Sequence, residues 1–275
     1  MQATTQSSHP DYESIKVRQQ AVWGSGDYGR IGVQLQIVGE ELCEAVDLRS
    51  SERVLDVAAG NGNASLAAAR RLAQVTSADY VPALLDQEKR RAEAEGLAVA
   101  TRIADVENLP FVDGEFDVVL STFGVMFAPD QERAAAEMVR VVRSGGRIGM
   151  ANWTPGGFVG ELFRIVGKMV PGPQGLASPS LWGTETRLVE LFGRHALDIR
   201  TQRKQFLFRE HSAASWVESF RRYYGPIHTA FAGLDRAGQI ELESAMLSLL
   251  HAHNRGGHDS LLVPSEYLEV VIRRA

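Results

Sequence analysis

The sequence predicts an α/β protein: a seven-stranded, mostly parallel sheet with helices on both faces and a helical cap over its open end. Three observations carry this. A hydrophobic strand over 53–57 breaks into a small glycine-containing turn and then an alanine-rich helix over 63–72. From 53 to 153 strand and helix patterns alternate, the βαβ rhythm of a parallel sheet. Helical and turn patterns at 154–182 and 212–256 interrupt that rhythm and read as insertions above the sheet.

Residues 1–11 read as loose. Helices are expected over 14–24 and 31–47, where Ile37, Val38, Leu42, Cys43 and Val46 recur at helical spacing. The polar loop Gly24-Ser25-Gly26-Asp27-Tyr28-Gly29 separates them. After the first strand and helix come a strand over 75–79 and a helix over 82–95, with Pro82 at its start, where a missing N–H costs little. Further strands are expected over 99–103 and 116–121, and a helix over 130–142. Ser144-Gly145-Gly146 should turn the chain into a strand over 147–152. Thr184-Glu185-Thr186 can start a helix ending near Gly193, and a strand should follow from 196 to about 208. Helices over 212–224 and 233–253 and a last strand over 267–272 complete the chain. The whole reads as one domain, 1–275: an N-terminal helical segment over 12–48, a core over 53–153, and cap insertions at 154–182 and 212–256.

A chain of 275 residues is long enough for a large buried core. The formal charge of −5, with arginine pairs scattered at 70–71, 90–91, 221–222 and 273–274, argues against a nucleic-acid partner. A single cysteine, Cys43, excludes an intrachain disulfide and reads as a small buried hydrophobe. His251 and His253 are two apart, a spacing that puts them on different helical faces, so no metal site is expected. No basic start, apolar leader or membrane-length apolar run is present, which points to the cytoplasm without membrane insertion. The oligomeric state stays open, a homo-oligomer included.

Val54-Leu55-Asp56-Val57-Ala58-Ala59-Gly60-Asn61-Gly62-Asn63 is the most informative stretch. Gly60 and Gly62 allow positive φ and close approach of a ligand to bare backbone, and the following helix start offers unpaired N–H groups. A flat, polar, nucleotide-like ligand is expected over this turn. Asp79 ends the next strand at the crevice where open α/β sheets bind ligands, and one carboxylate accepts bonds from two ribose hydroxyls.

These residues, together with Asp105-Val106-Glu107-Asn108-Leu109-Pro110-Phe111, Phe116-Asp117-Val118-Val119 and Glu137-Met138-Val139-Arg140-Val141-Val142-Arg143-Ser144-Gly145-Gly146-Arg147, resemble the class I S-adenosylmethionine-dependent methyltransferases. The chain is similar to the branch containing the ubiquinone and menaquinone biosynthesis methyltransferases. The likeness covers 53–153 well and 184–275 loosely. It implies a Rossmann-like fold and S-adenosyl-L-methionine as cofactor. By it, Asp56, Ala58, Gly60 and Gly62 form the glycine-rich turn, Asp79 binds the ribose hydroxyls, Tyr80 and Val106 flank the adenine, and Asp105 reads its amino group. Ser121 and Tyr28 complete the expected donor site; Tyr28, in the N-terminal glycine loop, either closes over the donor or has a surface loop role. Asp56 either touches the amino-acid end of the donor or organises the turn through backbone N–H bonds. Ala58 stands where the family usually has glycine, and Ser144 where it often has proline.

The implied chemistry is direct in-line methyl transfer to a small acceptor, with no covalent enzyme intermediate. Trp153, Phe123, Met126 and Phe127 leave strand ends near the expected opening. Trp216, Phe220, Tyr223, Tyr224 and Phe231 lie in the cap, where they form either a lid over an apolar or aromatic acceptor or ordinary cap core. His228, in a Gly225-Pro226-Ile227-His228 turn, is the first candidate for a catalytic base, with His251 and His253 behind it; His195 and His211 look like surface turn residues. Two other readings compete: a methyltransferase fold retained for binding or regulation, and an NAD(P)-dependent oxidoreductase. The carboxylate at 105 and the loop after it favour the methyl donor over a dinucleotide.

Overall fold

The computed structural model describes residues 10–275, so the loose segment expected over 1–11 lies outside the described residues as far as residue 9. Asp11 is an N-cap: its side chain accepts the Ser14 amide at 3.2 Å and starts α1 (Tyr12–Trp23). The helix expected over 31–47 begins earlier and is broken, as α2 (Tyr28–Gly32), a 3-10 turn (Val33–Leu35) and α3 (Gln36–Ala45). Close approach explains the glycines here. A Cβ on Gly32 would lie 2.7 Å from Asn61 Oδ1, and one on Gly39 would lie 2.6 Å from the Asn63 carbonyl.

The core follows the expected alternation: β1 (Arg53–Val57), α4 (Asn63–Arg70), β2 (Gln74–Asp79), α5 (Pro82–Glu95), β3 (Val99–Ile103), β4 (Phe116–Thr122), α6 (Gln131–Val141) and β5 (Val142–Trp153). Then come α7 (Phe158–Met169), α8 (Glu185–Phe192), β6 (Ala196–Glu210), α9 (Ala213–Tyr223), α10 (Gly225–Gly233), α11 (Arg236–His253) and β7 (Leu261–Arg274). The seven strands form one sheet in the order β3-β2-β1-β4-β5-β7-β6. The first five run parallel, and β7 runs antiparallel to both β5 and β6. This is a Rossmann-like sheet covered on both sides. Val54, Val118 and Leu120 pack with α3 and α4, while Leu55, Val57 and Val119 pack with α6 on the opposite face.

Three further elements differ from the sequence reading. Ser144-Gly145-Gly146 lies within β5 as a bulge: pairing jumps from Phe116↔Val142 to Val118↔Arg147, and Gly145 takes φ 70°. The last strand is 14 residues long, because β6 supports it along its length from Ala196↔Arg274 to Glu210↔Leu261. The turn expected around Gly225-Pro226 is the first turn of α10, where proline needs no N–H partner. Among the described residues, no helix is long and apolar enough to cross a membrane, and no group of three or more His, Cys, Asp or Glu is placed to hold a metal ion.

Candidate functional site

A cavity opens at the C-terminal ends of the parallel strands, with about 1160 Å³ of empty space counting its mouth. Its walls follow the strand order. The ends of β1, β2 and β3 supply Ala58, Ala59, Gly60, Asn61, Asp79, Tyr80, Val81, Asp105 and Val106. The ends of β4, β5 and β6 and the cap supply Phe123, Phe127, Trp153, Phe163, Phe208, Phe220 and Tyr224. One half is polar and the other aromatic.

The polar half is built by the glycine turn. Gly60 has φ 59° and donates its amide to Asp79 Oδ2 at 2.9 Å; Asp79 Oδ1 accepts the Val81 amide at 2.8 Å. The Asp79 carboxylate is thereby fixed with a lone pair left on each oxygen. Burial pushes it up to about 6, against the lowering effect of its backbone donors. Ala58 also has positive φ, 49°, a conformation that suits glycine and strains a residue with a Cβ. Gly124 answers it across the cavity floor, since a Cβ there would lie 2.1 Å from the Ala58 carbonyl.

Asp105 sits at the rim beyond β3. Its Oδ1 accepts the Glu107 amide at 2.9 Å and its Oδ2 meets Lys16 Nζ at 2.7 Å. The loop after it is clamped from α6. Glu137 accepts the Leu109 amide at 2.8 Å, and Arg140 donates to the carbonyls of Leu109 and Phe111 at 2.9 and 2.7 Å. That clamp gives the Glu137-to-Arg140 stretch a physical role.

Three of the expected donor-site residues do not line the cavity. Asp56 is fully buried under the turn, where its Oδ2 accepts the Ser65 amide at 2.9 Å and the Ser65 hydroxyl at 2.7 Å. Burial pushes its carboxyl up to about 8. Of the two roles open for Asp56, this geometry is the turn-organising one. Gly62, at φ 85°, caps α4 against Glu88. Ser121 is also fully buried: its hydroxyl donates to the Val57 carbonyl at 2.9 Å and accepts the Val125 amide at 3.0 Å. These two support the cavity floor from beneath.

His228 is likewise placed elsewhere. Its ring nitrogen lies 3.1 Å from the Arg221 carbonyl in an exposed contact, because α10 carries it outward. His253 lies 3.6 Å from Glu161 and edge-on to Phe158, away from the cavity. Of the cap aromatics, Phe220 and Tyr224 line the cavity, whereas Trp216, Tyr223 and Phe231 do not. Trp216 stacks on Phe220 with ring centroids 3.6 Å apart, as core behind the wall.

The sequence reading missed the roof. Lys16, Gln19 and Trp23, one helical face of α1, line the cavity. Gln19 Nε2 donates to the Phe127 carbonyl at 3.2 Å, and the Gln20 amide group donates to the Tyr80 carbonyl. Trp23 packs edge-on against Tyr28, Phe127 and Tyr224. The spacing 16, 19, 23 marks one face of α1 but not the sheet edge that face covers. Asn61 was missed too; it lines the cavity, and its Nδ2 is buried without a hydrogen-bond partner among the described residues.

A family model described as "Methyltransferase domain" matches residues 55–150. The chain is 42% identical over 216 residues to the uncharacterized protein Rv1403c of Mycobacterium tuberculosis, covering 78% of this chain and 79% of the relative. It is 39% identical over 128 residues to a demethylmenaquinone methyltransferase of Thermus thermophilus, covering 44% of this chain and 58% of that one. The crystal structure of the YcgJ protein from Bacillus subtilis shares the fold with a TM-score of 0.59 at 19% identity, covering 89% of this chain and 99% of that one. Phosphoethanolamine N-methyltransferase 2 of Haemonchus contortus, solved with S-adenosyl-L-methionine, gives a TM-score of 0.53 at 17% identity, covering 86% of this chain and 52% of that one.

Proposed function

Since the chain belongs to the class I S-adenosylmethionine-dependent methyltransferase family, we propose that it methylates a small, apolar or aromatic metabolite by direct in-line transfer. The observation that carries the reading is the pairing, in one cavity, of a fixed carboxylate at Asp79 with an aromatic compartment around Trp153. The partial likeness to the demethylmenaquinone methyltransferase, over 128 residues, supports a ring-bearing acceptor.

In this reading the free lone pairs of Asp79 take the ribose hydroxyls. Asp105 takes the adenine amino group, and Tyr80 and Val106 flank the base. Gly60, Ala58 and the unpartnered Asn61 Nδ2 face the amino-acid end, and the Tyr28 ring closes over the donor from beside Gly60, at the junction with the aromatic half. The fit rests on this chain's own features: a cradle at Gly60 and a buried donor without a partner. When bound, S-adenosylmethionine supplies an electrophilic methyl group on sulfur. The residues bind, orient and exclude water, the main contributions such a displacement needs. The segments at 154–182 and 212–256 act as the acceptor's cap.

The test is equilibrium binding followed by transfer. Isothermal calorimetry should show S-adenosylmethionine binding in preference to NADH. Incubation with methyl-labelled donor and a panel of aromatic acceptors should then give labelled product. Binding of NADH without the methyl donor would reverse the reading, and donor binding without turnover on any acceptor would favour a regulatory role.

A further inference from the structure

The sheet order separates the cavity's ionisable groups. Lys16, Asp79 and Asp105 belong to the polar half over β2 and β3. In the aromatic half, Tyr28 and Tyr224 are the ionisable side chains among the described residues. No described histidine lines the cavity, and Cys43 is buried on the far face of the sheet. The two tyrosine rings lie 6.3 Å apart, and Tyr28 Cε1 would lie 3.5 Å from a Cβ on Gly60, so Tyr28 stands at the junction of the two halves.

From this arrangement we infer that the acceptor is an acidic aromatic alcohol or enol that arrives with its oxygen ionised, held by the Tyr28 and Tyr224 hydroxyls as positioning donors. This rests on the methyl-transfer reading above and names its substrate class. The groups that face the pair are Asp79 for Tyr28 and Tyr28 itself for Tyr224. Burial, followed by these neighbours, pushes Tyr28 up to about 12 and Tyr224 higher still. Both phenols therefore stay protonated near neutral pH and act as donors, not bases.

An ionised oxygen has no proton to surrender. As its bond to the methyl carbon forms, the carbon–sulfur bond breaks and its electron pair stays on sulfur. An anion and a sulfonium become two neutral products. The apolar walls favour that loss of charge, because opposite charges attract strongly where water is excluded and neutral products sit well there. A neutral aliphatic alcohol or an alkylammonium would need a base, and this half of the cavity supplies none.

The test uses the full chain loaded with sinefungin, an unreactive donor analogue with a cationic amine, and 4-nitrophenol as probe. Phenolate absorbance reports ionisation of the bound phenol. Its midpoint should fall by about one pH unit relative to free 4-nitrophenol, the effect of hydrogen bonds and positive charge on an anion. Tyr28→Phe and Tyr224→Phe should each return roughly a third of that shift, the rest coming from the donor analogue's charge. Affinity for nitrobenzene, which lacks the oxygen, should change less than about twofold and shows that the pocket is intact. A bound phenol that titrates at or above the free value, a shift that survives both substitutions, or failure of the loaded protein to bind the phenol would each overturn the inference. S-adenosylmethionine binding is measured on the same sample. If the donor does not bind, the methyl-transfer reading falls; if it binds and the phenol's midpoint does not move, only the substrate class falls.

Discussion

Lys16 Nζ lies 2.7 Å from Asp105 Oδ2 and 3.2 Å from Glu107 Oε2, so a single ammonium pins helix α1 to the rim of the cavity it roofs. Burial opposes the charge on Lys16, and the hydrogen bond and attraction to Asp105, with help from Glu107, raise its pKa all the same. Lys16→Met should leave two carboxylates facing each other without a cation. We expect amide hydrogen exchange over 12–23 to rise at least about threefold and global stability to fall by about 1 kcal/mol, a modest value because the pair is partly solvated. Exchange equal to wild type in that helix would show that the roof is held by Trp23 and the glutamines alone.

The position of Asp79 gives a donor-binding prediction with a pH signature. Asp79→Ala should weaken S-adenosylmethionine binding by more than about tenfold, or about 1.4 kcal/mol. The carboxylate is pushed up to about 6, so in wild type the affinity should decline as pH falls through 6 and the acceptor oxygens become protonated. Asp79→Asn should bind weakly with a flat profile over the same range. Calorimetric titration between pH 5 and 8 reads both, and an unchanged affinity in a folded variant would remove Asp79 from the donor site.

Asp56 sets the sign of a stability effect. Its folded pKa is raised above that of the unfolded chain, to about 8 from 3.8. Between those values the folded state keeps a proton that the unfolded state has released. Stability therefore falls as pH rises through that window, with Asp79 adding to the fall up to about 6. Asp56→Asn, which mimics the protonated form and keeps an acceptor for Ser65, should match wild type near pH 4 and exceed it near pH 9 by at least about 1 kcal/mol. Urea unfolding at the two pH values decides it; parallel losses in both proteins would mean that Asp56 does not titrate in this window.

At Ala58 the backbone conformation opposes the side chain. Its φ of 49° is costly for any residue bearing a Cβ, and that Cβ faces Gly124. Ala58→Gly should stabilise the protein by about 0.5–1 kcal/mol, the relief of strain being partly offset by the freedom glycine gains when unfolded. A lower midpoint in urea than wild type would show that the alanine methyl contributes packing worth more than the strain.

The polar half of the site was readable because its information is local. A strand, two glycines and a helix start are contiguous from 53 to 72, and Asp79 and Asp105 fall just where strand patterns end. The roof was not readable. Lys16 meets Asp105 across 89 residues of sequence, and no periodicity within α1 announces which edge of a distant sheet it will cover. His228 was misplaced because a Gly-Pro pair reads equally as a turn or as a helix start, and only packing of α10 beside α9 selects the helix. The length of β7 was hidden by Pro264, Ser265 and Glu266, which break its apolar pattern while β6 supplies the pairing.

The boundary between β1 and β4 has a consequence for how this chain can vary. Side chains that shape the ring-sized compartment hang from β4, β5, β6 and the cap, on strands that carry none of the β2 and β3 carboxylates. Substitutions at Phe163, Phe208 or Phe220 can therefore recut the aromatic compartment while the polar half stays as it is. Under the proposed function, a scaffold partitioned this way lets selection, or an engineer, explore new acceptors without renegotiating the donor.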